Sequence, residues 1–293
     1  MNPAVGYRQL PVTDASLQLT FPVRVLYPTH AVPQLVPIGP YQLRVAPDAA
    51  VAPGRFPLVL VSHGTGSSGL VHRQLAQALV AHGYVVGLLE HPHNNRDDDS
   101  WAHTPQNLAA RPRHLQLALD FLLQDAQLSH VLYPERVALL GHSLGGYAGL
   151  AAVGGRPEAV ALGTAERLPI PVPMADARVK ALVLLAPALP WYAAPGALAA
   201  VLVPLLVLAA EQDEYLPPPA IAHVLQSLPA TTPRTLRVVA NAGHFSFLTP
   251  FPPPRSSPTF APSQDPPGFD RAQFQAELAQ EVASFLARHL SPP

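Results

Sequence analysis

The sequence contains no cysteine, and this absence excludes several kinds of chemistry at once. Disulfide bonds, thiolate-ligated metal sites and a cysteine nucleophile all require the missing side chain. The cellular compartment stays open on this ground, because secreted proteins can also lack disulfides.

Charge is also scarce, and no long apolar run is present. Charged residues make up 13% of the chain, the formal net charge is -1, and lysine and arginine do not cluster. Nucleic acids and anionic membranes select a basic excess, so neither is a predicted partner. The apolar stretch 197–210 contains Pro204 and falls short of the roughly 20 residues that span a bilayer. We therefore predict no membrane span.

The composition that remains is that of a large globular domain. The chain has 293 residues, of which 48% are hydrophobic, and this length supports one large domain with a sizeable core. We predict a single domain over 1–293. The first residues show no basic segment followed by an apolar one, which predicts a cytoplasmic protein without a signal peptide. A leader removed beforehand would make it secreted instead, and the oligomeric state stays open.

From residue 58 onward, short apolar runs alternate with segments of helical spacing. Strands are predicted at 58–61, 84–89, 137–140, 179–185, 204–209 and 236–239, and helices at 70–82, 108–124, 269–290 and directly after residue 143. Apolar strands that alternate with helices predict an α/β fold with a mostly parallel central sheet covered by helices on both faces. Residues 1–57 are predicted to form antiparallel β-hairpins. Residues 250–268 are rich in proline and serine, and this loop is predicted either to roof the site partly or to be a static surface loop.

Gly141-His142-Ser143-Leu144-Gly145 fits the G-x-S-x-G pattern. The motif alone is weak, but here an apolar strand precedes it and a helix of small residues follows it. That context is typical of a nucleophile elbow, a sharp turn that projects a serine hydroxyl from the sheet edge. Ser143 is therefore the predicted nucleophile.

A serine hydroxyl needs a base, and the base needs an orienting acid. The elbow predicts the chain order serine, acid, histidine. His244 follows the last predicted strand, and Asp213 follows the strand before it. Both positions lie at carboxyl ends of strands, where open α/β sheets place their sites. Glu211 and Glu214 are the alternative acids.

The oxyanion of an acyl-transfer intermediate needs two fixed N–H donors. One predicted donor is the amide of Leu144, and the other is the amide of Thr65 in the loop after the first parallel strand. Gly64 and Gly66 allow that loop to turn its N–H groups inward. A phosphate-binding loop is the weaker interpretation, because the lysine of that motif is absent.

Several other residues are open to more than one interpretation. Gly64, His142, Trp191 and Tyr192 are candidates for substrate contacts, although Trp191 and Tyr192 are equally consistent with a cover over the core. His63 and His142 are predicted to shape loops rather than to act as bases. His91, His93 and His103, with Asp97, Asp98 and Asp99, match no compact zinc signature. We predict a solvated loop there and no metal site.

Four segments together resemble the platelet-activating-factor acetylhydrolase-like branch of the α/β-hydrolases, a group often labelled predicted dienelactone hydrolases. They are Ser62-His63-Gly64-Thr65-Gly66-Ser67, Glu90-His91-Pro92, Gly141-His142-Ser143-Leu144-Gly145-Gly146-Tyr147 and Ala242-Gly243-His244-Phe245-Ser246-Phe247. The resemblance implies the α/β-hydrolase fold, an esterase or lipase-type activity, a Ser-Asp-His triad and no cofactor. True dienelactone hydrolases use a cysteine, so lactone specificity is not predicted.

These observations predict a hydrolase of small carboxylic esters with short to medium acyl chains, acting through an acyl-enzyme on Ser143. A thioesterase, a peptidase, an acyltransferase or a polyester or cutin-type hydrolase on the same triad is the alternative. A non-catalytic binding protein of the same fold is a further alternative, against which the intact Ser, Asp and His candidates argue.

Overall fold

The computed structural model describes residues 3–160 and 166–290. The predicted domain 1–293 therefore includes residues 1–2, 161–165 and 291–293, which lie outside the described residues. The strands of the described part are β1 Ala4–Asp14, β2 Leu19–Thr29, β3 Gln34–Ile38, β4 Tyr41–Pro47, β5 Phe56–Ser62, β6 Val85–Leu89, β7 Leu132–His142, β8 Glu158–Val160, β9 Arg167–Pro169, β10 Val179–Leu185, β11 Leu205–Ala210 and β12 Arg234–Val239. The α-helices are α1 Arg73–Ala81, α2 Pro105–Gln124, α3 Leu144–Ala152, α4 Pro218–Leu225 and α5 Arg271–Leu290.

Ten of these strands form one sheet in the order β12-β11-β10-β7-β5-β6-β2-β1-β4-β3. The six strands from β12 to β6 pair in parallel, and their carboxyl ends therefore meet at one edge. The N-terminal part adds two antiparallel hairpins, β1–β2 and β3–β4. The predicted mostly parallel sheet with antiparallel N-terminal strands is confirmed.

Helices cover both faces of the sheet. Side chains of α2, α3 and α4 pack in one hydrophobic core, and side chains of α1 and α5 pack in a second. Successive residues of β5 alternate between the two cores: Leu58 and Leu60 face the first, and Val59 and Val61 face the second. This two-sided burial explains why the central strands are near-continuous apolar runs in the sequence.

Helix α2 continues through a proline because the carbonyl that the proline leaves free is bonded elsewhere. Pro112 has no N–H to donate to the carbonyl of Leu108, four residues earlier. The hydroxyl of Tyr147 on α3 donates to that carbonyl at 3.1 Å. The proline thus links α2 to the helix that follows the elbow.

Four strands and one helix were not evident in the sequence. β1 contains Gly6 and Pro11, which weaken a strand pattern, and its pairing with β4 involves only Gly6 and Tyr7. Pro11 therefore lies where a single neighbouring strand suffices. β3, the short hairpin β8–β9 and the proline-led helix α4 are equally weak as patterns. Within the described ranges, no helix is both long and apolar enough to cross a membrane.

Candidate active site

Ser143 lies at the sharp turn between β7 and α3, at the carboxyl edge of the parallel strands. Its backbone has φ 53° and ψ −119°, in the positive-φ half of the Ramachandran map that residues other than glycine rarely adopt. The flanking glycines allow the helix to pass this close to the strands. A Cβ on Gly141 would lie 2.2 Å from the carbonyl oxygen of Gly145, and a Cβ on Gly145 would lie 1.9 Å from that of Ser62. The glycines of the motif are therefore required by space.

Asp213 and His244 form a buried hydrogen-bonded pair. Asp213 lies in the loop after β11, and its Oδ2 is 2.8 Å from Nδ1 of His244 in the loop after β12. Oδ1 of Asp213 accepts hydrogen bonds from the amides of Tyr215 and Leu216, both at 2.9 Å. These amides fix the carboxylate, and the pairing through Nδ1 leaves Nε2 of His244 free for a proton.

The two glutamates near Asp213 are placed differently. Oε2 of Glu211 accepts from the amide of Asn241 at 2.7 Å, and Glu214 is exposed. Of the three acids considered from the sequence, the structure brings only Asp213 to His244.

Ser143 and His244 line the same cavity. Among the hydrogen bonds of residues 3–160 and 166–290, none joins the two side chains. Catalytic pairs are often separated until substrate binds, so this arrangement is compatible with a nucleophile and its base.

His142 holds the loop of His244 in place. Its ring is fully buried, and its Nε2 donates to the backbone carbonyl of His244 at 3.0 Å. The pKa of His142 lies well below its ordinary value, and burial is the largest cause of this shift. The residue before the candidate nucleophile thus bonds directly to the backbone of the candidate base.

A buried arginine organises the loop that contains Thr65. Arg111 of α2 donates from Nη1 to the carbonyl of His63 at 2.6 Å and from Nη2 to that of Gly64 at 3.1 Å. It also donates to Oδ1 of Asn94, whose Nδ2 donates to Oγ1 of Thr65 at 2.9 Å. The Gly64 carbonyl and the Thr65 amide belong to one planar trans peptide and point in opposite directions. Arg111 therefore turns the Thr65 amide away from itself.

Leu144 provides the second amide of interest. It is the first residue of α3, where a helix leaves its N–H groups without intrahelical acceptors and carries partial positive charge. An oxygen that gains negative charge beside Ser143 would be favoured by this helix end.

Two cavities meet at Ser143. The first, about 380 Å³, is lined by residues that include Tyr41, Gly64, Thr65, His142, Ser143, Ala188, Tyr215, His244, Phe245, Phe251, Arg255, Phe260 and Pro262. We call it the His244-side cavity. The second, about 420 Å³, is lined by Thr65, His103, Thr104, Pro105, Asn107, Leu108, Ser143, Leu144, Ala159, Val160, Ala188 and Trp191. We call it the Trp191-side cavity.

The loop 250–268 forms one wall of the His244-side cavity and is held by Arg271 of α5. The Arg271 side chain is buried and donates to the Asp265 carboxylate and to the carbonyls of Pro262 and Gln264, all within 3.0 Å. Ser246 also donates to Asp265, at 2.7 Å. The segment is thus tied to the body of the domain at several points.

The sequence prediction for Tyr192 needs correction. Tyr192 is fully buried, and its hydroxyl donates to the carbonyl of Tyr147 at 2.7 Å. It belongs to the core beneath α3, whereas its neighbour Trp191 lines the cavity. Adjacent aromatics point in different directions at this short 3-10 turn, and the sequence does not distinguish them.

The histidine and aspartate residues after β6 do not come together as one group in the structure. His91 is buried, with Nε2 2.8 Å from the Ser62 hydroxyl, whereas Nδ1 of His93 is 2.7 Å from Asp98. His103 is exposed and lines the Trp191-side cavity. In the described residues, no group of three or more such side chains is arranged to hold a metal ion.

Apart from His244, five histidines are buried in the described part of the chain, namely His63, His72, His91, His114 and His142. Their burial predicts acid-sensitive stability. Burial is the largest cause that lowers the pKa of each, to about 4 for His72 and about 3 for His114. They are neutral in the folded protein but become protonated below about pH 6.5 in the unfolded chain. The stability that these neutral histidines contribute is therefore fully present above pH 6.5. It is lost as the pH falls toward their lowered pKa values in the folded protein.

We expect the free energy of unfolding, measured with urea, to fall by more than about 3 kcal/mol between pH 6.5 and pH 5, because each such histidine contributes up to about 1.4 kcal/mol per pH unit. Glu90, whose pKa is raised mainly by burial, opposes this trend as a single group. Neither ring nitrogen of His72 has a hydrogen-bond partner among the described residues, so His72→Leu breaks no hydrogen bond there. It removes one titrating group and should reduce the slope of the free energy of unfolding against pH. Exposed His30→Gln is the control, and a flat profile would contradict neutral burial.

The sequence matches no family model and no curated protein sequence. Solved structures do match. A ferulic acid esterase from Streptomyces cinnamoneus is 21% identical, with a TM-score of 0.76 and coverage of 100% of this chain and 94% of that one. A dienelactone hydrolase from Anabaena variabilis is 18% identical, with a TM-score of 0.59 and coverage of 99% and 100%. The chain has the α/β-hydrolase fold. This confirms the fold that the resemblance of the motifs implied.

Within this α/β-hydrolase fold, sequence reasoning missed the residues that support the site. The sequence does not indicate a role for Arg111 or Asn94, because an arginine in a helix and an asparagine in a loop usually lie on the surface. Nor did the sequence single out Tyr41, Phe251 and Phe260, which come from distant segments to one cavity. One signal was available in the sequence. Arg111 lies at helical spacing from apolar residues of the same helix, and an arginine on that face would need a buried hydrogen-bond partner.

Proposed function

We propose that this chain is a serine esterase that hydrolyses carboxylic esters through Ser143, His244 and Asp213. The observation that carries the proposal is the strained Ser143 in the wall of a cavity that His244 also lines, with His244 paired to the buried Asp213. The names of the two structural neighbours, an esterase and a lactone-hydrolysing enzyme, support ester hydrolysis at the level of reaction type.

The first half of the reaction forms an acyl-enzyme. His244 Nε2 accepts the proton of the Ser143 hydroxyl as Oγ attacks the ester carbonyl. The amides of Thr65 and Leu144 stabilise the negative oxygen of the tetrahedral intermediate. Asp213 keeps the Nδ1 proton on His244 and stabilises the imidazolium. His244 then gives its proton to the alcohol oxygen as the acyl–oxygen bond breaks.

The second half returns the enzyme to its starting state. Water attacks the acyl-enzyme while His244 accepts its proton, and the acid leaves from Ser143 as that proton returns to Oγ. We propose short to medium acyl chains. Thioester, peptide and polyester bonds are the alternatives on the same groups, and a panel of these substrates separates them from simple esters.

A fluorophosphonate probe tests the nucleophile directly. We expect one covalent adduct per chain, located on Ser143 by peptide mass spectrometry, because the probe reacts with a serine that a base activates. His244→Ala should slow labelling strongly. Ser129→Ala, which removes a serine at the opposite edge of the sheet, should label normally. An unlabelled protein, or an adduct on another residue, would refute the proposal.

A further inference from the structure

The two cavities at Ser143 differ in which of the catalytic groups they contain. His244 lines the first cavity, whereas Leu144 lines the second, and Thr65 lies at their junction. In the proposed reaction His244 must reach the oxygen of the departing alcohol, so the alcohol has to lie on the side of His244. The acyl group then extends to the other side of Ser143, past Leu144.

The walls of the two cavities also differ in chemistry. In the His244-side cavity, Tyr41, Phe251 and Phe260 form one aromatic group, with ring centroids 6.4 Å apart for Tyr41–Phe251 and 5.3 Å for Phe251–Phe260. Tyr215 and Phe245 lie beside the His244 ring, at 5.2 Å and 4.9 Å. Aromatic rings at such distances favour the edges and faces of a further ring.

Two of these aromatics remain open to solvent. Tyr215 is 65% exposed and Phe260 is 38% exposed, although both border the cavity. Large apolar side chains kept at the mouth of a cavity are typical of a binding surface. A ligand ring placed between them would cover apolar area that the protein alone leaves in water.

The apolar part of the Trp191-side wall is mainly aliphatic, and His103, Thr104 and Asn107 add polar side chains to it. Leu108, Leu144, Ala159, Val160 and Ala188 form most of its apolar wall, and Trp191 is the aromatic residue there among the described residues. Such a wall suits a flexible hydrocarbon chain. Its volume of about 420 Å³ lies within the range of ordinary ligand sites.

We propose that the substrates are esters of an aromatic alcohol with an aliphatic acid, whose alcohol ring binds in the His244-side cavity and whose acyl chain binds in the Trp191-side cavity. This inference rests on the proposed function and adds to it the class and the orientation of the substrate. Phe260 helps to select the alcohol, and Trp191 helps to select the acid.

Isomeric esters test the orientation without a change in composition. Benzyl butyrate carries its ring on the alcohol side, and propyl phenylacetate carries its ring on the acyl side. Both release unactivated alcohols, so differences in leaving-group reactivity are small. We expect kcat/KM for benzyl butyrate to exceed that for propyl phenylacetate at least about tenfold. Equal values, or a preference for propyl phenylacetate, would overturn the assignment.

Two variants then separate the cavities. Phe260→Ala should lower the benzyl butyrate to propyl butyrate ratio of kcat/KM by about three- to tenfold and leave the benzyl butyrate to benzyl acetate ratio unchanged. Trp191→Ala should lower the benzyl butyrate to benzyl acetate ratio and leave the benzyl butyrate to propyl butyrate ratio unchanged. The opposite pattern would mean that the cavities have exchanged roles.

The fluorophosphonate result separates this inference from the proposed function. Labelling of Ser143 together with cleavage of both isomers at equal rates would leave the esterase proposal intact and remove the orientation. Absence of labelling and of cleavage of every ester in the set would remove both.

Discussion

Replacing Ser143 with alanine should lower kcat for ester hydrolysis by about 10⁴- to 10⁶-fold, because the acyl-enzyme can no longer form. The rate should be measured with benzyl butyrate and with p-nitrophenyl esters, the second of which detects weak residual activity. Residual turnover would come from the oxyanion donors and from binding alone. A variant that retains most of the wild-type rate would show that Ser143 is not the nucleophile.

The same variant must be shown to fold. Alanine removes only the Oγ atom, and the structural hydrogen bonds at this position involve the backbone: the Ser143 amide donates to Leu185 at 3.0 Å, and its carbonyl accepts from Gly146 and Ala188 at 2.9 Å. We therefore expect the thermal unfolding of Ser143→Ala to stay cooperative and close to that of the wild type. Loss of activity can then be assigned to chemistry.

Asp213→Asn should lower kcat by about 10⁴-fold, the size seen when a triad acid becomes an amide. The asparagine oxygen can still accept from the amides of Tyr215 and Leu216. The amide nitrogen then faces Nδ1 of His244 and favours the tautomer in which Nε2 is protonated. A base that already carries a proton on Nε2 cannot accept one from Ser143.

Glu211→Gln and Glu214→Gln are the matched controls for this substitution. Each removes one negative charge from the same loop, so their kcat values should stay within a few-fold of the wild type. Glutamine at 211 also keeps an oxygen that can accept from the Asn241 amide. A large loss in either control, combined with an active Asp213→Asn variant, would move the role of the acid to that glutamate.

The sequence could predict the parts of the molecule that depend on local pattern or on strand order. The G-x-S-x-G motif identifies the elbow because the close contacts at Gly141 and Gly145 leave no room for a side chain. Asp213 and His244 could be predicted to meet because parallel strands bring their carboxyl ends to one edge. The apolar runs predicted the central strands because they are buried on both faces.

Other features depend on contacts between segments that are distant in the chain, and these the sequence does not reveal. Arg111 bonds the carbonyls of His63 and Gly64, 48 and 47 residues earlier, and backbone carbonyls leave no trace in a sequence. The choice between Trp191 and Tyr192 depends on the direction of a short turn. β1 has no clear strand pattern in the sequence, and it is stabilised by pairing with β2 along its whole length.

The attachment of loop 250–268 through Arg271 has an evolutionary consequence. Phe251 and Phe260 lie on this loop, whereas Ser143, Asp213 and His244 lie on turns that follow strands of the sheet. Substitutions on this loop outside the anchored positions can alter the shape of the cavity wall without displacing Ser143, Asp213 and His244. Under the proposed function, selection can therefore diversify the alcohols that a descendant of this protein accepts, while the three proposed catalytic residues keep their positions.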